Sequence, residues 1–193
     1  MNPLTQRLPK AVIVDGVRYG INSDFRNCLK IIMAFEDRNL AEFEKQEIML
    51  RLLFGEEIPP DLEKACHTAV KFLNCGEENN GKEESAAYGG RLYSFEKDAK
   101  FIFTAINQTH GIDLENIDYM HWWKFCWLFM DLNEDCFFSR MLYLRGQKNK
   151  GKLTREEWQI WRSAQDVLSL EEFDDTGDDE TMKEFLKALN NGR

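Results

Sequence analysis

Residues 121–132 read HWWKFCWLFMDL, with three tryptophans, two phenylalanines and a methionine in twelve positions. No other stretch restricts the fold so strongly. At 100° per residue its apolar side chains cover nearly the whole circumference of a helix, leaving a narrow polar sector around Lys124 and Asp131. Such a helix is either the buried centre of a domain or a membrane span. Length decides. The run over residues 118–132 spans roughly 22 Å at 1.5 Å per residue, against roughly 30 Å of hydrocarbon, and His121, Lys124 and Asp131 would be costly in lipid. Burying the three tryptophans contributes at most on the order of 10 kcal/mol by area, comparable to the net stability of a domain. The segment is therefore read as core, with Trp122, Trp123, Phe125 and Trp127 as structural residues. Trp123 and Trp127 border the polar sector and can also reach a surface groove.

The rest of the chain is patterned for a mainly α fold with a small N-terminal β-hairpin. In KAVIVDGVRYGI two β-prone runs flank Asp15-Gly16, a dipeptide suited to a two-residue type I′ turn that pairs Val14 with Val17 and Val12 with Tyr19. An isolated ribbon of this length needs helices to cover it. Phe25, Cys28, Leu29, Ile32 and Phe35 then recur at helical spacing. A second helix is expected over about residues 40–54. A third, with Leu62, Ala65, Cys66, Ala69, Val70 and Leu73 as its stripe, follows Pro59-Pro60 and stops at Gly76. Residues 76–90, GEENNGKEESAAYGG, hold too few apolar side chains to order themselves and read as a flexible linker or long loop. Beyond it Ser94 is the expected N-cap of a helix whose stripe is Phe95, Ala99, Ile102, Phe103 and Ile106, with Asp98 on its flank, partly buried and paired. Residues 91–170 are expected to form a helical core continuous with residues 1–75.

Two further helices carry apolar faces that look surplus to a core. Thr154 and Glu157 make a capping box, with Leu153 and Trp158 placed as a hydrophobic staple. Trp158, Trp161, Ala164 and Leu168 continue the stripe. Residues 171–193 hold eight acids against three bases, and within them Met182, Phe185, Leu186 and Leu189 fall at i, i+3, i+4 and i+7. That pattern describes a short amphipathic helix on an acidic tether, which either folds back on the domain or docks in a partner's groove. Trp158, Trp161, Met182, Phe185, Leu186 and Leu189 are thus the candidate partner-binding residues.

Net charge is −9 and the pI about 5.0, which argues against nucleic acid and anionic membranes as partners. The first ten residues lack the apolar run of a secretory signal, and the five scattered cysteines read as reduced core thiols, both consistent with a cytoplasmic protein. GQKNKGKL (146–153) fits G-x-x-x-x-G-K, but Leu153 stands where a P-loop needs the hydroxyl that holds Mg²⁺. The chain also lacks the strand–helix alternation of a nucleotide-binding sheet. Although MLYLR before it has the composition of a strand, the stretch reads as a solvated lysine-rich loop. No C-x-x-C or H-E-x-x-H spacing occurs, and Cys66 and His67 point about 100° apart on a helix. A pairing of His121 with Asp98 is conceivable on paper, but no nucleophile motif accompanies it. No catalytic, metal, nucleotide or cofactor site is expected.

At residues 91–129, RLYSFEKDAKFIFTAINQTHGIDLENIDYMHWWKFCWLF, Asp98-Ala99, Gly111-Ile112-Asp113-Leu114 and His121-Trp122-Trp123-Lys124-Phe125 closely resemble the bacteriophage gp-fifteen family, found in phages and prophages of Gram-positive bacteria. VDGVRYGINSDFR, leading into Asp24-Phe25-Arg26, is also similar. The resemblance covers residues 10–35 weakly and 91–145 well. It implies a tail assembly chaperone acting in the host bacterial cytoplasm, with the tape measure protein or other tail proteins as partners, and it brings no catalytic residues. Self-association stays open. The alternatives are a structural component of the virion tail or head–tail connector, and, against the P-loop argument above, a nucleotide-binding enzyme.

Overall fold

Asp15 and Gly16 both hold positive φ, 51° and 79°, the geometry a type I′ turn requires. They join strands β1 (Ala11–Val14) and β2 (Val17–Gly20), paired antiparallel with Val12 opposite Tyr19 and Val14 opposite Val17. The computed structural model describes residues 2–77 and 91–170. Among them, eight helices follow the hairpin: α1 (Phe25–Glu36), α2 (Glu42–Phe54), α3 (Leu62–Leu73), α4 (Ala99–His110), α5 (Trp122–Met130), α6 (Phe137–Asn149), α7 (Arg155–Ser163) and α8 (Gln165–Leu168). The fold is mainly α with a small N-terminal hairpin. The linker expected over 76–90 lies, apart from Gly76 and Glu77, outside the described residues, as does the helix expected within 171–193.

The described residues divide into two compact units, one comprising residues up to 77 together with Ile117–Trp127, the other residues 91–116 and 128–170. In the first, α2 packs on α1 and α3, and α3 packs on β1. Helix α1 buries Phe25, Cys28, Ile31, Ile32 and Phe35, whereas Leu29 is only half-buried. The expected stripe is widened towards Ile31 because α1 meets both α2 and the returning 117–127 segment, where Phe25 stacks on Phe125 at 4.9 Å. In α3, Ala65, Ala69, Phe72 and Leu73 are buried, while Leu62, Cys66 and Val70 stay at least partly exposed. Gly76 does end this helix region, at φ +83°, and a Cβ there would lie 3.0 Å from the Trp123 ring. Only glycine suits both constraints.

The two sequence stretches that carry the resemblance meet in this unit. Asp24 caps α1 by accepting from the Arg26 amide at 3.0 Å, and its other carboxylate oxygen accepts from the Met120 amide at 3.1 Å. The Phe25 amide donates to the Met120 carbonyl and the Trp122 amide to the Ser23 carbonyl, at 2.9 and 2.8 Å. The starts of α1 and α5 are thereby stitched as a single antiparallel bridge between Asp24 and His121. Arg26 adds a bond to the Ile117 carbonyl at 2.8 Å.

In the second unit, α6 packs against α4 and α8, and α7 against α8. Tyr93, Phe95, Phe129 and Phe138 form an aromatic cluster with centroid separations of 5.1–5.7 Å between neighbouring rings. Met141, Trp161 and Leu168 form another, with Leu153, Ala164 and Val167 packed against it. Three expectations need correction here. Ser94 caps a preliminary turn, its hydroxyl accepting from the Lys97 amide, and the regular helix starts only at Ala99. Its buried face is Asp98, Ile102, Ala105 and Ile106, so Ala99 and Phe103 are exposed; the helix is rotated to present Asp98 inward. Finally, residues 141–149 are neither strand nor loop, because α6 continues through Gly146 to Asn149.

Candidate functional site

The structure separates the residues that the sequence grouped by composition. Trp122, Trp123 and Phe125 are buried, whereas Trp127 is half-buried. Each of the first two indoles has a task beyond packing. The Trp122 Nε1 donates to the Leu73 carbonyl and the Trp123 Nε1 to the Phe72 carbonyl, both at 2.8 Å. Both carbonyls belong to the last turn of α3, where a helix runs out of intrahelical donors; that of Phe72 also accepts from the Cys75 amide at 3.0 Å. Two adjacent tryptophans therefore cap a helix that lies fifty residues earlier in the chain.

His121 does the same at the start of α5. Its Nε2 donates to the Pro9 carbonyl at 2.9 Å, which leaves Nδ1 to accept from the Trp123 amide at 3.1 Å. Neutral imidazole suits both contacts, since protonated Nδ1 could not accept. Burial holds the His121 pKa below its ordinary value; the Pro9 bond acts the other way, and nearby Lys10 lowers it further. A histidine depressed in the folded state binds fewer protons there than in the unfolded chain. Its stabilisation is thus complete above about pH 6.5 and is lost as pH falls from there through the folded-state value. We expect the first unit to lose on the order of 1 kcal/mol, the worth of a helix cap, between pH 7.5 and 5.5, and a His121→Asn variant to lose less over that interval. Urea unfolding at the two pH values measures this, and an equal loss in both proteins would refute it.

Asp98 does not pair with His121. It is fully buried and receives a two-pronged ion pair from Arg145, at 2.6 Å (Nη1 to Oδ2) and 2.9 Å (Nη2 to Oδ1). Arg145, 2% exposed, was expected in a solvated lysine-rich stretch. Its place inside α6 also removes the phosphate-cradling reading of GQKNKGKL, because residues 146–149 are helical and only Gly151 takes positive φ. Among the described residues no group of three or more His, Cys, Asp or Glu side chains could hold a metal ion, and no helix is long and apolar enough to cross a membrane. The five cysteines are free thiols, and burial pushes those of Cys28 and Cys126 well above the ordinary range.

The candidate partner-binding residues also divide. Trp161 is only 4% exposed, covered by Met141 and Leu168 with the Lys148 ammonium 4.5 Å above its ring, so it supports the second unit from inside. Trp158 is 42% exposed. Met182, Phe185, Leu186 and Leu189 lie outside the described residues. Beside the exposed side of α7 is a groove of about 600 Å³ that the sequence did not indicate, floored by Leu92, Tyr93, Phe129, Leu142 and Gly146 and edged by Tyr143 and Ile160. Its polar rim holds Glu134, Arg140, Lys150 and Glu157. Tyr143 and Ile160 are about half exposed. The Tyr143 hydroxyl bonds Glu157, raising the phenol's pKa, while the Thr154 amide, then its side chain and Tyr143, hold the Glu157 carboxyl low. This pair ties α6 to α7 across the groove's edge. The groove offers an apolar floor within a charged rim, a shape suited to docking.

Residues 4–170 match the family model described as Bacteriophage Gp15 protein. The match is wider than the two stretches of resemblance and stops where the acidic segment begins. No curated protein and no solved structure matches the chain significantly.

Proposed function

The chain belongs to the bacteriophage Gp15 family, and on that footing we propose that it is a phage tail assembly factor, a chaperone that binds the tape measure protein during tail morphogenesis. Family membership alone makes it a phage structural or morphogenesis protein; the chaperone role is the finer reading. What carries that reading is exposed apolar surface on the second unit, Tyr143 and Ile160 at the groove and Trp158 elsewhere on α7, on a chain of net charge −9. A tape measure is a long, largely helical chain whose apolar stripes are exposed until tube subunits enclose it. A small acidic protein can cover such stripes helix-in-groove while its charge keeps the complex in solution.

Co-expression tests this. The tape measure protein should be recovered soluble with this chain bound, and should fall into the insoluble fraction when the chain is omitted. A tape measure that stays soluble alone and does not co-purify refutes the chaperone role. Mass spectrometry of purified particles should find the chain absent; stoichiometric retention would instead make it a structural part of the virion.

A further inference from the structure

The groove of the second unit is open along Tyr143 and Ile160, and both residues belong to a strongly basic stretch. Residues 137–163 hold seven bases against two acids, and one of the seven, Arg145, is neutralised inside by Asp98. Residues 171–193 carry the opposite balance, eight acids against three bases, five of the acids falling within 174–180. Immediately after these acids comes the only apolar pattern in the segment, Met182, Phe185, Leu186 and Leu189 at helical spacing. The order is acids, then stripe, so one segment offers a charged portion for the basic stretch and an apolar portion for the groove.

Connection favours the same occupant. Leu170 is buried in the second unit, and the Leu168 and Val167 carbonyls are held by Arg145, one residue from the groove-lining Gly146. The chain therefore continues from a point beside the groove. Met182 stands twelve positions after Leu170, enough for about 40 Å of extended chain, whereas a unit of about 70 residues has a radius of gyration near 11 Å. A tethered segment of this reach has an effective concentration of order millimolar at the groove. A second copy of the whole chain, at net −9, is repelled in solution and has no such advantage.

We infer that the groove edged by Tyr143 and Ile160 receives the chain's own C-terminal segment, with Met182, Phe185, Leu186 and Leu189 filling it and the acids of 174–180 lying along the bases of 148–155. The segment thereby covers the exposed apolar surface of the second unit, and any partner helix entering the groove must displace it. The docking itself does not depend on the identity of that partner.

The test uses the full chain with Ile160 replaced by the photo-crosslinking residue p-benzoyl-phenylalanine, a position exposed enough to take the change. Irradiation at micromolar protein followed by peptide mapping should place the cross-link within residues 182–189 of the same chain. Adding Phe185→Asp and Leu186→Asp should lower that yield about tenfold or more, as expected for a loss of about 1.4 kcal/mol or more, and 1 M salt should lower it too. A parallel series with the cross-linker at Tyr143 guards against a local effect of one substitution. A yield indifferent to the double substitution, cross-links joining two chains, or cross-links that miss residues 182–189 would overturn the inference. None of these outcomes alters the co-expression result, so the chaperone reading is judged separately.

Discussion

Arg145→Ala is expected to destabilise the second unit by about 3–5 kcal/mol, the cost of leaving a buried charge without its partner. Arg145 is 2% exposed and Asp98 fully buried, so neither water nor a side-chain swing can replace what is lost. Besides the two-pronged pair with Asp98, the guanidinium Nε donates to the Leu168 carbonyl at 2.8 Å, and its terminal nitrogens donate to the Leu92 and Val167 carbonyls at 2.9 and 3.0 Å. Val167 and Leu168 end α8, where a cation meets both unpaired carbonyls and the negative end of the helix. Asp98 in turn accepts from the Ser94 amide at 3.0 Å. One side chain thus holds α8, α4 and the segment before α4 to α6. Arg145→Lys keeps the charge but not the fork, and should still cost about 2 kcal/mol through the bonds it cannot make. Asp98→Ala combined with Arg145→Ala should cost clearly less than the sum of the two single changes, because the double variant leaves no orphan charge. Urea unfolding, with hydrogen exchange in α4 and α6 to localise the loss, provides the measurement. A loss under about 0.5 kcal/mol for Arg145→Ala, the range of ordinary surface changes, would sink the argument.

That interaction also marks where sequence reading reaches its limit. The hairpin at Asp15-Gly16, the cap at Thr154 and the boundary at Gly76 were legible because their determinants lie within four or five residues of one another. The burial of Asp98 was legible from its place on the flank of a stripe. Its partner was not, since Arg145 is 47 residues away and sits in a run of bases that looks solvated. The same holds for Trp122 and Trp123. Their burial follows from their composition, but their capping of α3 depends on a return of the chain that no local pattern states. Periodicity also left the rotation of α4 open: Phe103 and Ala99 look equivalent to Ile106 until the demand to bury Asp98 turns them outward. Trp158 and Trp161 share a stripe in the sequence, yet Met141 and Leu168 cover only Trp161. The groove was invisible because its wall is assembled from three separate stretches, 92–93, 129–150 and 157–160.

Trp122→Ala should cost the first unit about 3–5 kcal/mol, as for other large aromatic side chains removed from a core. The more telling variant is Trp122→Phe. It keeps most of the ring that stacks on Phe125 at 5.8 Å, which in turn stacks on Phe25 at 4.9 Å, but it removes the N–H that satisfies the Leu73 carbonyl. If the indole acts only as apolar filler, Phe is a modest loss of volume. If it also caps α3, Phe leaves a buried carbonyl without its partner and adds about 1–3 kcal/mol, with faster hydrogen exchange in the last turn of α3. Trp158→Ala, at a position 42% exposed, is the control and should stay within about 0.5 kcal/mol of the unchanged protein. Equal stability of Trp122→Phe and the unchanged protein would remove the capping role while leaving the packing role standing. A Trp122→Ala variant no weaker than Trp158→Ala would remove both. The neighbouring Trp123 reinforces the same end of α3, since it donates to the adjacent carbonyl of Phe72 and packs within 3.0 Å of where a side chain on Gly76 would begin.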